Sequence, residues 1–312
     1  MAEVKIAKLE SIVARKLETW DIPCMMWGEP VLALYGVAHA NITHSSWVIP
    51  DEDIKAAADL LEAGGFRHLE NEIVCRGESA PPPIPDYTLA PPPYAESEFP
   101  VALYRKSRLL WTFPPMVTGE PMEPDYYMTT FDERLSSAIV GRDWQLTGMH
   151  HSMVIPTPEK YIEAMLLLQI RDLDGHAALN YWRRSINHLV FEVLLQSDSP
   201  QLDWSHIQSP WLECLQEKKN REQDADLHEG DSSELGTLVR KIYIWLKEAK
   251  EIPAPEGIQS PRFKWDLFKQ GFDELGLKVE ESYLTGPTRK PENMREHDGL
   301  SSYLRHLIYR DE

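Results

Sequence analysis

The sequence predicts an α+β chain, with a mixed-sheet domain over residues 1–155 followed by a helical domain over 156–312. Three observations lead there. In the first half, short runs rich in β-branched and apolar residues alternate with helical stretches closed by glycine, as in NITHSSWVI followed by PDEDIKAAADLLEAGGF. Beyond residue 156 the runs give way to stretches with apolar residues at helical spacing, such as TPEKYIEAMLLLQIRD and ALNYWRRSINHLVFEVLLQ. The 312 residues are 42% hydrophobic and 26% charged, a globular composition long enough for one large domain or two smaller ones.

In chain order, Val4, Ile6, Leu9, Ile12, Val13 and Leu17 give residues 3–19 one apolar helical face. CMMW is a short apolar run, and Gly28-Glu29-Pro30 opens a turn into PVLALYGV, a short buried helix stopped by Gly36. NITHSSWVI reads as a strand. Pro50 and the acidic Asp51-Glu52-Asp53 suit the start of the next helix, where they meet its dipole, and Gly64-Gly65 suits its end. RHLENEIVC reads as a further strand. Residues 77–100, with APPPIPDYTLAPPPY, predict an extended surface excursion, because proline removes the donors an interior strand needs. VALYRKSRLLWTF (101–113) returns as a strand pair or one long bent strand, ended by Pro114-Pro115.

In the second half, TPEKYIEAMLLLQIRD carries Pro158 in its first turn, and ALNYWRRSINHLVFEVLLQ and SELGTLVRKIYIWLKEAKE are two further helices. RFKWDLFKQGFDELG and SSYLRHLIYRD are shorter helical patterns, and the charged EKKNREQDADLHEGDSS (217–233) is a connecting segment.

The formal charge of −18 repels phosphate backbones and argues against nucleic-acid binding. Cys24, Cys75 and Cys214 are odd in number and scattered, which suits thiols in a reducing cytoplasm. No apolar run approaches the roughly 20 residues of a membrane span. The expectation is a soluble cytoplasmic protein with a small-molecule ligand and no nucleic-acid or membrane partner. The sequence does not set its oligomeric state.

Two blocks carry a family resemblance. Leu34-Tyr35-Gly36-Val37 and Trp47-Val48-Ile49-Pro50-Asp51-Glu52 form the first; Pro156-Thr157-Pro158, Tyr161, Glu163-Ala164, Leu166-Leu167-Leu168 and Arg171-Asp172 form the second. Their order resembles the nucleotidyltransferase-fold proteins numerous in fungal genomes. That resemblance implies a nucleotidyltransferase-like mixed sheet whose active members hold divalent metal on a D-h-D or D-h-E pair, with a third carboxylate on a neighbouring strand. Strand residues i and i+2 share a face, so such a pair converges on the ions that hold a nucleoside triphosphate. Set against Trp47, the two positions fall on His44 and Ser46. Neutral imidazole and hydroxyl are poor magnesium ligands, so the resemblance implies the scaffold without the metal site and without a cofactor. Of the glycine element that cradles phosphates, only Gly36-Val37-Ala38 is evident.

Other constellations are less specific. His39 and His44, with Thr43, Ser45 and Ser46, form a polar cluster; a His–Ser nucleophile would also need an orienting acid and an oxyanion site, and no G-x-S-x-G elbow is present. His150-His151 point to opposite sides if they lie on a strand or loop, an arrangement that seldom binds one metal, although one could face a site. In RDLDGH, Asp172 and Asp174 fall on different faces of a helix and Gly175 reads as its stop, an unconvincing metal site. Tyr181, Trp182, Arg183 and Arg184 join aromatic and basic groups that could grip a carboxylate or phosphate; surface arginines over core aromatics is the plainer reading.

The candidates are therefore His44, Ser46, His39 and His151 as catalytic groups, with His44 open to a cleft, and Trp47, Tyr181, Arg183 and Arg184 as substrate contacts, with no metal ligand. Three classes compete: a small-molecule-binding protein or metal-independent enzyme on this scaffold, a non-catalytic interaction protein, and a nucleotidyltransferase whose carboxylates lie elsewhere.

Overall fold

The structure, a computed structural model, describes residues 2–37, 42–69, 82–135, 151–176, 178–190, 207, 210–223, 234–255 and 265–276. His39, Cys75, His150, the 301–311 helical pattern and parts of the 77–100 and 217–233 segments lie outside the described residues. The chain divides into two compact units. One takes in 1–74, 84–164 and 187–206; the other 75–83, 165–186 and 207–312.

The fold is mixed α/β. The first unit is built on a five-stranded mixed sheet of order β1-β2-β5-β4-β3. Helix α1 (Ala2–Thr19) precedes β1 (Met25–Trp27), and α2 (Glu29–Leu34) links it to β2 (Ser45–Ile49). Helix α3 (Ile54–Ala63) then leads to β3 (Arg67–His68), β4 (Tyr87–Ala90) and β5 (Val101–Arg105). Strand β2 pairs antiparallel with β1 and parallel with β5, while β4 pairs antiparallel with both β5 and β3. The parallel β2–β5 pair at the centre demands a crossover, and α3 supplies it.

Helix α3 ends as its glycines predict. Gly65 takes φ 91°, and the Phe66 amide reaches back to the Leu61 carbonyl at 3.1 Å while Phe66 itself is buried. That closes the helix with a left-handed residue that only glycine adopts at low cost.

Two sequence expectations need correction here. Strand β4 lies inside the proline-rich stretch and is an interior strand, with β5 on one side and β3 on the other. Pro85 and Pro91 lie on either side of it, and the four strand residues Tyr87–Ala90 are free of proline and keep every donor the ladder needs. The 101–113 segment is neither a strand pair nor one bent strand. After β5 the chain turns into α4 (Lys106–Leu109), held by Asp51, whose carboxylate accepts from the Ser107 amide at 2.9 Å and hydroxyl at 2.5 Å. Part of the 51–53 acidic cluster thus caps a helix distant in sequence, while Asp53, at the start of α3, makes no side-chain capping bond.

A two-stranded sheet of β6 (Tyr127–Thr129) and β7 (Val154–Pro156) completes the described strands. Helix α5 (Pro158–Arg171) contributes its first turns to the first unit and the remainder to the second. Helices α6 (Leu179–His188), α7 (Trp211–Gln223), α8 (Glu234–Glu248) and α9 (Trp265–Asp273) follow. Within the second unit, Tyr243 of α8 packs on Phe268 and Phe272 of α9 at ring separations of 6.5 and 5.8 Å. No helix among the described residues is long and apolar enough to cross a membrane.

Candidate functional site

Strand β2 holds the residues that the resemblance singles out, and pairing fixes which way each one faces. Directly opposed residues in neighbouring strands share a face. Ser46 stands beside Trp27 of β1 and Ala102 of β5, so these three line one side of the sheet. Ser45 and Trp47 turn to the other side, where the Trp47 indole donates to the Ser45 hydroxyl at 2.9 Å.

The Ser46 side is closed by aromatic side chains. Tyr161 of α5 packs against Trp27 at 4.6 Å between ring centres, and Tyr35 meets Tyr161 edge-on at 5.6 Å. The two phenols are anchored: Tyr35 donates to the Pro156 carbonyl at 2.6 Å and Tyr161 to the Gly28 carbonyl at 3.2 Å. Burial pushes both hydroxyls well above the usual tyrosine range, so they remain neutral donors. All three rings are at most 1% exposed.

His44 corrects an expectation. It stands in a bend one residue before β2 and is only 1% exposed, not open to a cleft, with Nδ1 3.0 Å from the Thr43 hydroxyl. Ser46 is equally buried, and Trp47 is fully so. His151 is half-buried, with its ring in contact with the Glu18 carboxylate and its amide donating to the Ser11 hydroxyl at 3.3 Å.

The residues present do not fit a divalent metal. Beside Ser46 the parallel neighbour offers Ala102, and beside Val48 it offers Tyr104, so no carboxylate occupies that face of β5. The buried polar atom without a partner on this face is a donor, Trp27 Nε1, which repels a cation. The phosphate cradle fails as well. The strand–turn–helix junction falls at Gly28, with φ 74°, rather than at Gly36. The residue that follows is Glu29, a buried carboxylate in the first turn of α2, where a triphosphate would meet like charge.

On the opposite side of β2 lies a group that sequence reasoning missed. Glu10 of α1 is fully buried, and burial drives its carboxyl up to about 8, an effect the neighbouring Ser45 hydroxyl offsets only in part. The α1 pattern carried a signal for it, since Leu9, Ile12, Val13 and Leu17 place Glu10 at the margin of the apolar face.

In the second unit, the RDLDGH turn after α5 is a buried ionic network. Arg171 forks onto Asp172 with contacts of 2.8 and 3.0 Å, and the Trp182 indole donates to the same carboxylate at 2.7 Å. His176 Nε2 sits 3.1 Å from Asp174 Oδ1. Arg171, Asp172, Asp174 and His176 are each at most 6% exposed. Among the sequence candidates on α6, Tyr181 is buried, Arg184 lies over its ring at 5.7 Å, and Arg183 is half-buried. Among the described residues, no three or more His, Cys, Asp or Glu side chains are grouped to hold a metal ion.

No protein-family profile matches the chain, and no curated protein matches it. Among solved structures the chain is similar to an antigenic nucleotidyltransferase-like protein from Paracoccidioides brasiliensis, at 15% identity and a TM-score of 0.38, covering 77% of this chain and 94% of that one.

Proposed function

We propose that this chain is a small-molecule-binding protein on a degenerate nucleotidyltransferase-like scaffold of the fungal type, and that it does not carry out metal-dependent nucleotidyl transfer. The register of β2 supports this reading. It puts Ser46 between Trp27 and Ala102, under a ring from Tyr161, where the scaffold's chemistry needs converging carboxylates. Burying that face in aromatic contacts stabilises the fold and leaves no hard anionic oxygen for magnesium. The ligand contacts in this reading are Tyr181, Arg183 and Arg184, and the acidic composition with its scattered cysteines suits a cytoplasmic setting. Calorimetric titration with ATP, CTP, GTP and UTP in the presence of Mg²⁺ tests it. The expected result is no metal-dependent heat of binding; a micromolar Kd for any Mg²⁺–nucleotide pair overturns the reading.

A second reading is a metal-independent enzyme of small-molecule metabolism, with His44, Ser46, His39 or His151 moving protons. The half-exposed His151 ring beside Glu18 favours it, because solvent reaches an imidazole that a carboxylate orients.

A further inference from the structure

The first unit carries an apolar surface depression away from the face of Ser46. Cys24, just before β1, and Tyr127 of β6 line it together with Met116, Val117 and Met122 of the loop between α4 and β6. Met122 is 77% exposed and Val117 38%. Trp20, 68% exposed, adjoins them, because the Thr118 hydroxyl donates to the carboxylate of the next residue, Asp21, at 2.5 Å. Single exposed apolar side chains are ordinary on a protein surface; three gathered at one depression mark a contact face. Methionine suits such a face, since its unbranched thioether adapts to the shape of a partner.

The loop is held in shape before anything binds. Tyr127 donates to the Pro114 carbonyl at 2.6 Å, and the Phe113 ring meets Tyr126 and Tyr127 edge-on at 5.4 and 5.8 Å. Pro114, Pro115, Pro121 and Pro124 fix φ along it. A loop ordered in advance gives up little entropy on binding. The depression measures about 270 Å³, counting the part open to solvent. That lies below the roughly 300–1,000 Å³ of a site that engulfs a small molecule, and it suits one or two inserted side chains.

The charges around it have one sign. Glu18, Asp21, Glu120, Glu123 and Asp125 are all exposed, and residues 18–24 and 114–125 contain no lysine or arginine. Arg134, which reaches the Pro124 carbonyl at 3.3 Å, is forked onto Asp132 and cancels against it. Arg15 lies a turn before Glu18 on α1, so five carboxylates against one guanidinium leave −4, and His151 against Glu18 reduces that by one at most. A second copy of this acidic chain would bring like charge to the rim. An apolar segment that carries lysine or arginine matches both the depression and its surround.

We propose that this face docks an apolar segment of a partner protein flanked by lysine or arginine. Its apolar side chains enter beside Met116, Val117 and Met122, Trp20 covers them at the edge, and its cations lie against Glu18, Glu120 and Glu123. Such recognition is additional to the small-molecule reading and independent of it.

The test titrates the full chain, labelled at its methionine methyl groups, with three synthetic peptides of equal length built from leucine and lysine, leucine and glutamate, or serine and lysine. The Met116 and Met122 resonances should shift saturably with the leucine–lysine peptide at micromolar concentration and not with the other two, while Met165 of the second unit stays still. M122S should weaken the titration about tenfold, followed at Met116, and E123K several-fold. Circular dichroism should not change, because both side chains are exposed. No saturable shift with the leucine–lysine peptide overturns the proposal, as does M122S that titrates like the parent. An equal shift with leucine–glutamate or with serine–lysine overturns it too, since the face would then read apolarity alone or charge alone. Sedimentation should be the same for the parent and M122S; a dimer that M122S dissociates assigns the face to a second copy and overturns the proposal.

Discussion

Strand β2 and the 171–184 segment handle polar groups in opposite ways. At the start of β2, the positions that the family resemblance singles out hold His44 and Ser46, with Ala102 beside Ser46, and that side of the sheet is filled by Trp27 and Tyr161. In 171–184, charges are buried and matched: Arg171 against Asp172, and Asp174 against His176. Aromatic filling asks only for shape and tolerates polar loss. A buried ion pair is costly to form and far costlier to break, because the surviving partner is left in a poor solvent. The difference teaches where to look for chemistry: a fold retains buried charge only where geometry or function holds it.

The largest expected effect tests that claim directly. Asp172→Ala removes the acceptor of both the Arg171 fork and the Trp182 indole, leaving a guanidinium 3% exposed with its carboxylate gone. The expected cost is about 3–5 kcal/mol, read from urea denaturation midpoints. A loss below about 1 kcal/mol would show that the network contributes no more than a surface pair.

Glu10 is the exception on the β2 side, and it gives the comparison a pH axis. Its carboxyl titrates near 4.5 when exposed and at about 8 when folded. The folded state therefore holds its proton more tightly, and stability falls as pH rises from about 4.5 to about 8, at up to about 1.4 kcal/mol per pH unit. Glu10→Gln keeps the shape and removes the titration. It should leave stability unchanged near pH 4 and raise it by roughly 2–4 kcal/mol above pH 8, after allowance for relaxation around the charge. Equal gains at both pH values would mean that Glu10 is ionised or solvated in the native fold.

A middle effect is expected at His44. An imidazole open to a cleft would be removable without consequence, but this one is 1% exposed and hydrogen-bonded to Thr43. His44→Ala should cost about 1–3 kcal/mol through the cavity and the lost partner. A variant as stable as the parent would place His44 back at an open surface and revive its claim as an acid–base group.

Much of the fold was legible because its signals are local. Gly65 announces the end of α3, the β-branched run announces β2, and Pro158 announces the start of α5. The errors arose where long-range pairing decided the outcome. Prolines at 85 and 91 speak for a loop, yet Tyr87–Ala90 between them complete a ladder with β5 and β3. Asp51 signalled the cap of its own helix and instead caps α4 through Ser107, a partner 56 residues away. The candidate site was legible as residue types and illegible as exposure: period two put His44 and Ser46 on a strand, but nothing local foretold the aromatic cover from Tyr161. In the RDLDGH turn, helical spacing argues against a metal site and says nothing of burial. Its charges are buried because Trp182, Arg171 and Lys247 come to them from neighbouring turns and from α8, which spacing within one motif cannot reveal.

The smallest expected effect separates two arginines of one region. Arg171 is buried and forked to a carboxylate, whereas Arg184 keeps solvent contact and lies over the Tyr181 ring at 5.7 Å. A guanidinium over an aromatic face at a partly exposed site contributes about 0.5–1 kcal/mol. Arg184→Gln should therefore lower the midpoint only slightly, by about 0.5–1 kcal/mol, since the glutamine stem still covers part of the ring and no buried charge is stranded. A stability loss as large as that of Asp172→Ala would mean that Arg184, too, belongs to the buried network.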